Sequence, residues 1–240
     1  MPGTTRPKVY IIANPAKSAE DGPLQHVRRL VEPKAEIIDA RRGPLDPTLA
    51  GQADRVIVLG GDGTILSAGR SMRDRQVPLV GINLGKLGYL AAFSLDEFES
   101  AIDRALTDDT LISPRLMLEV TVNGGGHQKL SSIALNDVVV QAGPPFRMIT
   151  LSLSLNDSEL TRISGDGLII ATPVGSTAYN LSAGGPILQP TVKGIAITPI
   201  CAHSLTHKPL VVDESVTVQI VPERLNDGTR VILDGQDMLP

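Results

Sequence analysis

Three glycines around one carboxylate form the first stretch of the sequence that could do chemistry. A short apolar run, residues 55–59, leads into Gly60-Gly-Asp-Gly-Thr64. Glycine tolerates positive φ and lets a ligand approach the bare backbone, so such a turn can direct successive N–H groups at a phosphate. Asp62, if held in that turn, needs a cation or a hydroxyl group as its partner. Thr64 is a suitable N-cap for the helix that follows. An ordinary strand-to-helix turn is the simpler alternative.

A second polar stretch, residues 165–186, combines an apolar strand with a loop rich in hydrogen-bonding side chains. The hydroxyl, amide and phenol groups of this loop offer directional hydrogen bonds, and Tyr179 can also stack on a flat ring. These side chains belong to Thr172, Ser176, Thr177, Tyr179, Asn180 and Ser182. The composition predicts a ligand-binding loop, and a solvated surface loop is the alternative.

A third polar pair, Asn136 and Asp137, stands at the start of the apolar run 138–140. Adjacent residues of a strand face opposite ways. Both side chains can therefore reach one ligand only if the strand bends at this point. An Asx turn is the alternative explanation for the pair.

Composition limits the classes of partner. The chain has 240 residues, 42% of them hydrophobic, and a net charge of −4. A globular protein of this charge has no general attraction for nucleic acid, whereas small anionic metabolites remain possible ligands. A single cysteine excludes an internal disulfide framework and suits a reducing compartment. No apolar run approaches the roughly 18 to 20 residues that span a bilayer, so we expect a cytoplasmic protein without a membrane partner.

Cys201, His203 and His207 bring a thiol and two imidazoles close together in the sequence. A structural zinc site normally has four ligands, and the sequence has no companion cysteine cluster. We therefore expect no dedicated metal site built from protein side chains.

Strands and helices alternate over the first 107 residues. Strands are predicted at 8–14, 36–40, 55–59 and 77–84, and helices at 24–31, from Thr64 onward and at 95–106. This alternation implies crossover connections and a parallel sheet, in which ligands bind at the carboxyl ends of the strands. The turn at Gly60 lies at such an end. A second glycine turn, residues 83–89, can form the other lip of the same crevice, or be a plain turn.

The remainder of the chain predicts strands separated by Gly, Asn-Asp and Pro punctuation. The predicted strands are 118–123, 132–141, 150–155, 168–172, 195–200, 210–221 and 229–233, with a turn at Asn156-Asp157. The fold class is therefore an α/β N-terminal domain with a parallel sheet, followed by a mostly antiparallel, all-β C-terminal domain. We place the first domain at residues 1–108 and the β-rich domain at 109–240.

Taken together and in this order, the motifs resemble the NAD kinase family. The matching segments are Gly60-Gly-Asp-Gly-Thr64, residues 83–88, Asn136-Asp137, residues 165–167, residues 175–179 and Asp234-Gly-Gln236. The glycine–aspartate loop alone is shared with diacylglycerol-type lipid kinases and phosphofructokinases. The stretch 165–186 is specific to NAD kinases.

The resemblance implies phosphorylation of the adenosine ribose 2′-hydroxyl of NAD, giving NADP, with ATP or polyphosphate as donor and a divalent metal such as Mg²⁺. Phosphoryl transfer depends mainly on positioning and charge neutralisation, and Asp62 is the implied catalytic base. Arg147 would supply a guanidinium group for the pyrophosphate. The residues implied to bind the dinucleotide are Asp62, Gly63, Asn136, Asp137, Arg147, Ser164, Asp166, Val174, Thr177, Ala178, Tyr179, Asn180, Leu181, Ser182 and Gln236.

The sequence departs from the family pattern at three places. Asp137 stands where Glu is common, and Ser164 stands where a basic residue is frequent. The chain ends four residues after Gln236, where relatives commonly continue through further strands.

Two alternative functions stay open, a diacylglycerol-type lipid kinase and a catalytically weak, NAD-binding regulatory protein. The resemblance also implies a homo-oligomer, either dimer or tetramer. It leaves open the choice between ATP and polyphosphate, and between NAD and NADH.

Overall fold

The computed structural model describes residues 6–15, 22–85, 88–123 and 129–239. The chain divides into two compact units, residues 1–113 and 114–240. The first unit is α/β and the second is built of antiparallel strands, so the predicted fold class is confirmed. The division falls after residue 113, within the stretch from Thr107 to Pro114 where the sequence pattern changes. The 3₁₀ turn Asp109–Leu111, which Asp108 caps, belongs to the first unit.

The first unit is a parallel sheet with its helices in the connections. Its elements are β1 (Lys8–Ala13), α1 (Gly22–Val31), β2 (Glu36–Arg42), α2 (Pro47–Ala50), β3 (Arg55–Leu59), α3 (Asp62–Met72), β4 (Leu79–Ile82) and α4 (Leu95–Thr107). The strand order is β2-β1-β3-β4, and every pair in this sheet is parallel. No helix in the described part of the chain is long and apolar enough to cross a bilayer.

Strand β3 is buried on both faces because successive side chains enter different cores. Ile57 and Leu59 pack with α1 and α4, whereas Val56 and Val58 pack with α2 and α3. This is the alternation that a strand covered on both faces requires. The carboxyl end of β3 is therefore held firmly between two layers of helices.

The second unit consists mainly of strands, with one short helix among its described residues. Its elements are β5 (Leu118–Asn123), β6 (Lys129–Ala134), β7 (Asp137–Gln141), β8 (Ile149–Leu155), β9 (Ser158–Gly165), β10 (Gly167–Ala171), α5 (Tyr179–Ser182), β11 (Gly194–Ile200), β12 (Leu210–Asp213), β13 (Val218–Arg224), β14 (Arg230–Leu233) and β15 (Asp237–Leu239). They form a six-stranded sheet, β12-β11-β10-β7-β14-β15, a three-stranded sheet, β13-β8-β9, and a two-stranded sheet, β5-β6.

Two strands predicted as continuous are each divided, and those two predictions are wrong. The predicted strand 132–141 is interrupted between β6 and β7, and the predicted strand 210–221 becomes β12 and β13 in different sheets. In the second case the Asp213 carboxylate accepts hydrogen bonds from the N–H and the hydroxyl of Ser215. This Asx-type turn ends β12, because it redirects the chain away from the sheet.

The predicted turn at Asn156-Asp157 is confirmed. Both residues have positive φ, 47° and 65°, in the connection between β8 and β9. A two-residue hairpin turn of this kind favours Asn and Asp, because they tolerate the left-handed region better than other side chains do.

We expect Phe98→Ala to lower the free energy of unfolding of the first unit by about 3–5 kcal/mol. Phe98 is fully buried and meets the ring of Phe93 edge-on, with ring centroids 6.1 Å apart. Urea unfolding followed by circular dichroism measures this change. Leu111→Ala is the control, since that side chain is 49% exposed. Equal losses in the two variants would contradict the packing described for α4.

Candidate active site

Three strand ends meet at the carboxyl edge of the parallel sheet. The N–H of Asn14, after β1, bonds to the Leu59 carbonyl oxygen at 2.9 Å, and the N–H of Gly60, after β3, bonds to the Ile82 carbonyl oxygen at 2.9 Å. The backbone is thus paired up to the point where the glycine loop begins. This is the edge at which a parallel sheet binds its ligands.

Asp62 is the first residue of α3, and backbone N–H groups hold its carboxylate. Its two oxygens accept hydrogen bonds from Tyr89 N at 2.9 Å and Leu90 N at 3.1 Å. Within the protein the carboxylate is thus held by N–H groups, and the expected cation or hydroxyl partner stays a prediction. An ionised carboxylate has about four acceptor positions, so Asp62 can still accept a hydrogen bond from a ligand hydroxyl.

The two glycine turns of the first unit come together at Asp62. Gly88 lies so close that a Cβ there would overlap the Asp62 carboxylate. A glycine is therefore required at this position for steric reasons. Lys86 and Leu87, which belong to the same predicted turn, lie outside the described residues.

Thr64 does not cap α3, in contrast to the prediction. The N-cap is Gly61, which makes no side-chain capping bond. The Thr64 hydroxyl instead accepts a hydrogen bond from the Asn14 side-chain amide at 2.9 Å. The threonine thus connects the end of β1 to the first turn of α3, and it stabilises the loop rather than the helix terminus.

A second group of strand ends meets in the β-rich unit. Strand β7 pairs antiparallel with both β10 and β14, with Asp137 opposite Ala171 and Val138 opposite Leu233. The start of β7 therefore lies beside the ends of β10 and β14. This arrangement brings together three predicted motifs, Asn136-Asp137, the loop after Ala171 and Asp234-Gly-Gln236.

The chain bends at Asn136 because one carboxylate binds three consecutive N–H groups. Asp234 Oδ1 accepts from the N–H groups of Leu135, Asn136 and Asp137, at 3.1, 2.7 and 3.2 Å. In a regular strand successive N–H groups point to opposite sides, so this pattern ends β6. The chain therefore has the bend that the sequence analysis requires for Asn136 and Asp137 to reach one ligand.

Asn136 carries an unsatisfied acceptor at this bend. Its side-chain oxygen is buried and has no hydrogen-bond partner within the described ranges. Buried polar atoms are nearly always paired, so such an atom calls for a specific explanation. A ligand hydroxyl would supply the missing donor.

Asp137 is a buried acid, 4% exposed. Burial, and secondarily the negative charge of Asp234, raises the pKa of Asp137 from 3.8 to about 6. Both effects disfavour the charged form. At neutral pH the group is mostly an ionised acceptor, and below pH 6 it becomes a neutral group that can also donate.

The loop after β10 is fastened to the same bend. Thr172 N–H donates to the Asn136 carbonyl oxygen at 2.8 Å, and the Thr172 hydroxyl donates to the Leu135 carbonyl oxygen. A Cβ at Gly175 would overlap the Asn136 carbonyl oxygen, so only glycine fits there. The loop and the bend therefore form one hydrogen-bonded unit.

Asn180 supports this loop from inside. It is fully buried, and its amide donates to the carbonyl oxygens of Ser176 and Pro186 at 3.0 Å each. Its side-chain oxygen accepts from the Thr198 hydroxyl at 2.6 Å. The polar atoms of Asn180 are thus used within the protein. The side chain therefore supports the loop, and the predicted ligand contact at Asn180 stays a prediction.

Other predicted residues of the loop face outward. Tyr179 and Leu181 are 39% and 44% exposed, and Ser182 is also exposed. Val174, Thr177 and Ala178 are half-buried. The Tyr179 ring is therefore available for stacking, whereas its neighbour Asn180 is not.

Asp166 lies at the other end of β7 and β10, and Ser164 is in β9, two residues before it. Arg147 lies between β7 and β8, two residues before Ile149, which pairs with Gly165 of β9. Asp166 precedes Gly167, which pairs with Gln141 at the far end of β7. Six residues separate Asp166 from Thr172, which is roughly 20 Å along a strand. Within one chain the predicted residues of this unit thus form two groups.

Models of the two domains of one enzyme family match this chain. The ATP-NAD kinase N-terminal domain matches residues 31–110, and the ATP-NAD kinase C-terminal domain matches residues 135–240. The chain belongs to the NAD kinase family. The resemblance seen in the motifs is thereby confirmed.

Curated NAD kinases share much of this sequence. The chain is 45% identical to the NAD kinase of Geotalea daltonii over 185 residues, which are 77% of this chain and 65% of that protein. It is 43% identical to the NAD kinase of Trichlorobacter lovleyi over 196 residues, which are 81% of this chain and 69% of that protein. The matched region therefore spans about two thirds of these relatives, and less than two thirds of the first.

Solved NAD kinase structures have the same fold. Yeast NADH kinase complexed with NADH has a TM-score of 0.81 and 26% identity, covering 97% of this chain and 76% of that one. An NAD kinase from Archaeoglobus fulgidus in complex with ATP has a TM-score of 0.80 and 26% identity, covering 97% and 86%.

The dinucleotide-binding residues predicted from the sequence include Gln236 but not Asp234. Asp234 follows a buried strand residue, Leu233, and precedes Gly235, and both turn residues have positive φ. An Asp-Gly pair directly after an apolar strand indicates a tight turn. It does not indicate where the carboxylate points, so the sequence signal for this role was weak.

No cluster of three or more His, Cys, Asp or Glu side chains that could hold a metal ion occurs among the residues that the structure describes. Mg²⁺ usually keeps several waters and binds through one or two carboxylates together with substrate phosphates. A single carboxylate such as Asp62, fixed by two N–H groups, fits that mode of binding.

We expect Asp137→Asn to change the pH dependence of stability. The folded-state pKa of Asp137, about 6, exceeds the ordinary value of 3.8, so the folded state binds the extra proton between them. This proton uptake stabilises the folded state fully below about pH 4, and the stabilisation is lost as the pH rises through 6. The difference between the two pKa values corresponds to about 3 kcal/mol. Between pH 4 and pH 8, the free energy of unfolding of the variant should therefore rise by about 3 kcal/mol relative to that of the wild type.

Urea unfolding at a series of pH values measures this difference, and Asp213→Asn is the matched control. Hydrogen bonds from Ser215 lower the pKa of Asp213, so its effect should have the opposite sign. A pH-independent difference between Asp137→Asn and the wild type would contradict the raised pKa.

Proposed function

We propose that this protein is an NAD kinase, which transfers the γ-phosphoryl group of ATP to the 2′-hydroxyl of the adenosine ribose of NAD and releases NADP and ADP. Given that the chain belongs to this family, the main support for the proposal is the bend at Asn136. It leaves a buried amide oxygen without a partner among the described residues, next to Asp137 in the chain. Both groups accept hydrogen bonds, as recognition of ribose hydroxyls requires.

Asp62 acts as the base in this proposal. The N–H groups of Tyr89 and Leu90 fix its carboxylate, and acceptor positions remain for the proton of the attacking hydroxyl. Phosphoryl transfer is catalysed mainly by positioning and electrostatic stabilisation, so a pre-oriented carboxylate suits the reaction. Bound Mg²⁺ would neutralise charge on the phosphate oxygens of ATP.

Related structures support the choice of small molecules. The Archaeoglobus fulgidus NAD kinase is complexed with ATP, and the yeast NADH kinase with NADH. ATP is therefore the donor we propose for this chain. Polyphosphate as donor and NADH as acceptor stay open until they are assayed. The cytoplasmic location stays a prediction from composition.

The distribution of the predicted residues favours a homo-oligomer. Asp166 directly precedes β10 and lies roughly 20 Å along that strand from the loop that begins at Thr172, too far to contact the same ribose. Ser164 of β9 is two residues from Asp166, and Arg147 precedes Ile149, which pairs with Gly165. If a second copy of the chain brings its own Arg147, Ser164 and Asp166 close to the loop after Thr172, one dinucleotide can contact both groups of residues. Light scattering of the purified protein, with and without NAD, tests this part of the proposal.

We expect Asp62→Asn to retain NAD binding and to lose about 10²- to 10⁴-fold in turnover, the usual contribution of a positioned base. NADP formation from NAD, ATP and Mg²⁺ measures turnover, and calorimetry measures NAD binding. Asp96→Asn is the matched control, because Asp96 also lies in the first turn of a helix, α4, but is exposed.

The same assays separate the alternatives. Unchanged turnover in Asp62→Asn would exclude this carboxylate as the base. NAD binding by the wild type without NADP formation would favour a regulatory binding protein. Phosphorylation of diacylglycerol in place of NAD would favour a lipid kinase.

A further inference from the structure

The turn after β14 presents a carboxylate to the backbone beneath the proposed ribose-binding residues. We propose that Asp234 is a positioning residue for NAD, and that its carboxylate sets the direction of Asn136 and Asp137 by holding the backbone of both. The inference rests on the proposed function, because it assigns these two side chains to the ribose.

The hydrogen bonds of Asp234 are concentrated on three consecutive residues. Oδ1 lies 2.7 Å from Asn136 N, and Oδ2 lies 3.2 Å from Leu135 N. In return, the Asp234 N–H donates to the Asp137 carbonyl oxygen at 3.0 Å. Hydrogen bonds to a charged acceptor are about twice as strong as neutral ones. The carboxylate therefore defines the path of the backbone at the bend.

The backbone of the turn aims the carboxylate inward. Asp234 has φ +51° and Gly235 has φ +65°, whereas the preceding Leu233 is fully buried in the sheet. Asp, Asn and Gly are the residues that enter the left-handed region most readily. Asp234 is 8% exposed, so water does not compete effectively for its acceptor positions.

Asp234 also provides the electrostatic environment of Asp137. On one side of β7, Ala171 of β10 lies opposite Asp137. On the other side, Leu233 of β14 lies opposite Val138. Neither of these two side chains ionises. Asp234 is the one charge identified as raising the pKa of Asp137, in addition to burial. Removing that charge would lower the pKa of Asp137 toward its ordinary value.

Two substitutions separate the geometric role from the electrostatic one. Asp234→Gly removes the carboxylate and adds no strain, because glycine tolerates positive φ. Asp234→Asn keeps an acceptor oxygen in the position of Oδ1, suits the same φ and removes the charge. The same two changes at Asp213 are matched controls, since the Asp213 carboxylate holds Ser215 in an exposed turn of the same unit.

We expect Asp234→Gly to weaken NAD binding, measured by calorimetry at pH 8, by about 10- to 10²-fold, the range expected when buried polar groups lose their hydrogen-bond partners. Binding of ATP should stay unchanged. Amide hydrogen exchange at residues 135–137, followed by NMR, should become faster in this variant even without NAD. The Asp213 variants should match the wild type in all three measurements.

Asp234→Asn is expected to lose less NAD affinity at pH 8 than Asp234→Gly, because the acceptor oxygen remains. Its NAD affinity should begin to fall at a lower pH than that of the wild type, since Asp137 would ionise more easily. A purely structural role for Asp234 would not move this pH limit. If Asp234→Gly does not fold, the pH profile of Asp234→Asn decides, and an unmoved limit would overturn the inference.

The outcomes distinguish this inference from the proposed function. If the wild type fails to bind NAD, the proposed function is overturned and the inference falls with it. If the wild type binds NAD and folded Asp234→Gly binds it equally well, the inference alone is overturned.

Discussion

Backbone N–H groups that hold carboxylates are the interaction on which the candidate residues of each unit depend. Tyr89 and Leu90 hold Asp62 in the first unit, and three N–H groups centred on Asn136 hold Asp234 in the second. A carboxylate away from water must be paired or hydrogen-bonded to remain charged. Because these donors belong to the main chain, each carboxylate also fixes the course of a loop. Charge and geometry are therefore set by the same contacts.

This arrangement requires glycine where the loops approach each other. At Gly88 a side chain would overlap the Asp62 carboxylate, and at Gly175 it would overlap the Asn136 carbonyl oxygen. The glycines of the two motifs thus have steric reasons that are independent of any phosphate contact. The sequence interpretation treated glycine mainly as a means of exposing N–H groups to a ligand. In the structure, close packing of protein against protein accounts for these two positions.

Local patterns predicted the fold well, and long-range contacts explain where the prediction failed. Buried strands such as β3 and the helix α4 follow from composition and periodicity within one segment. The break at Asn136 does not, since it depends on a carboxylate 98 residues later in the sequence. Similarly, Asn180 has the composition of a ligand contact, and only the position of Thr198 shows that its side chain is used internally. Residue types could identify the loops of the site, whereas the direction of each side chain required the tertiary structure.

A buried acid, Asp137, lies at the bend of the β-rich unit, and its burial has a physical consequence. Asp137 is shorter than the glutamate that the family resemblance implies at this position, so its carboxyl group stays close to the backbone and to Asp234. Burial and that neighbouring charge disfavour ionisation of Asp137, which destabilises the folded state at neutral pH. A hydrophobic residue there would avoid this loss but could not accept a hydroxyl proton. Such a compromise between stability and function is typical of binding sites. It explains why a buried acid is compatible with this fold.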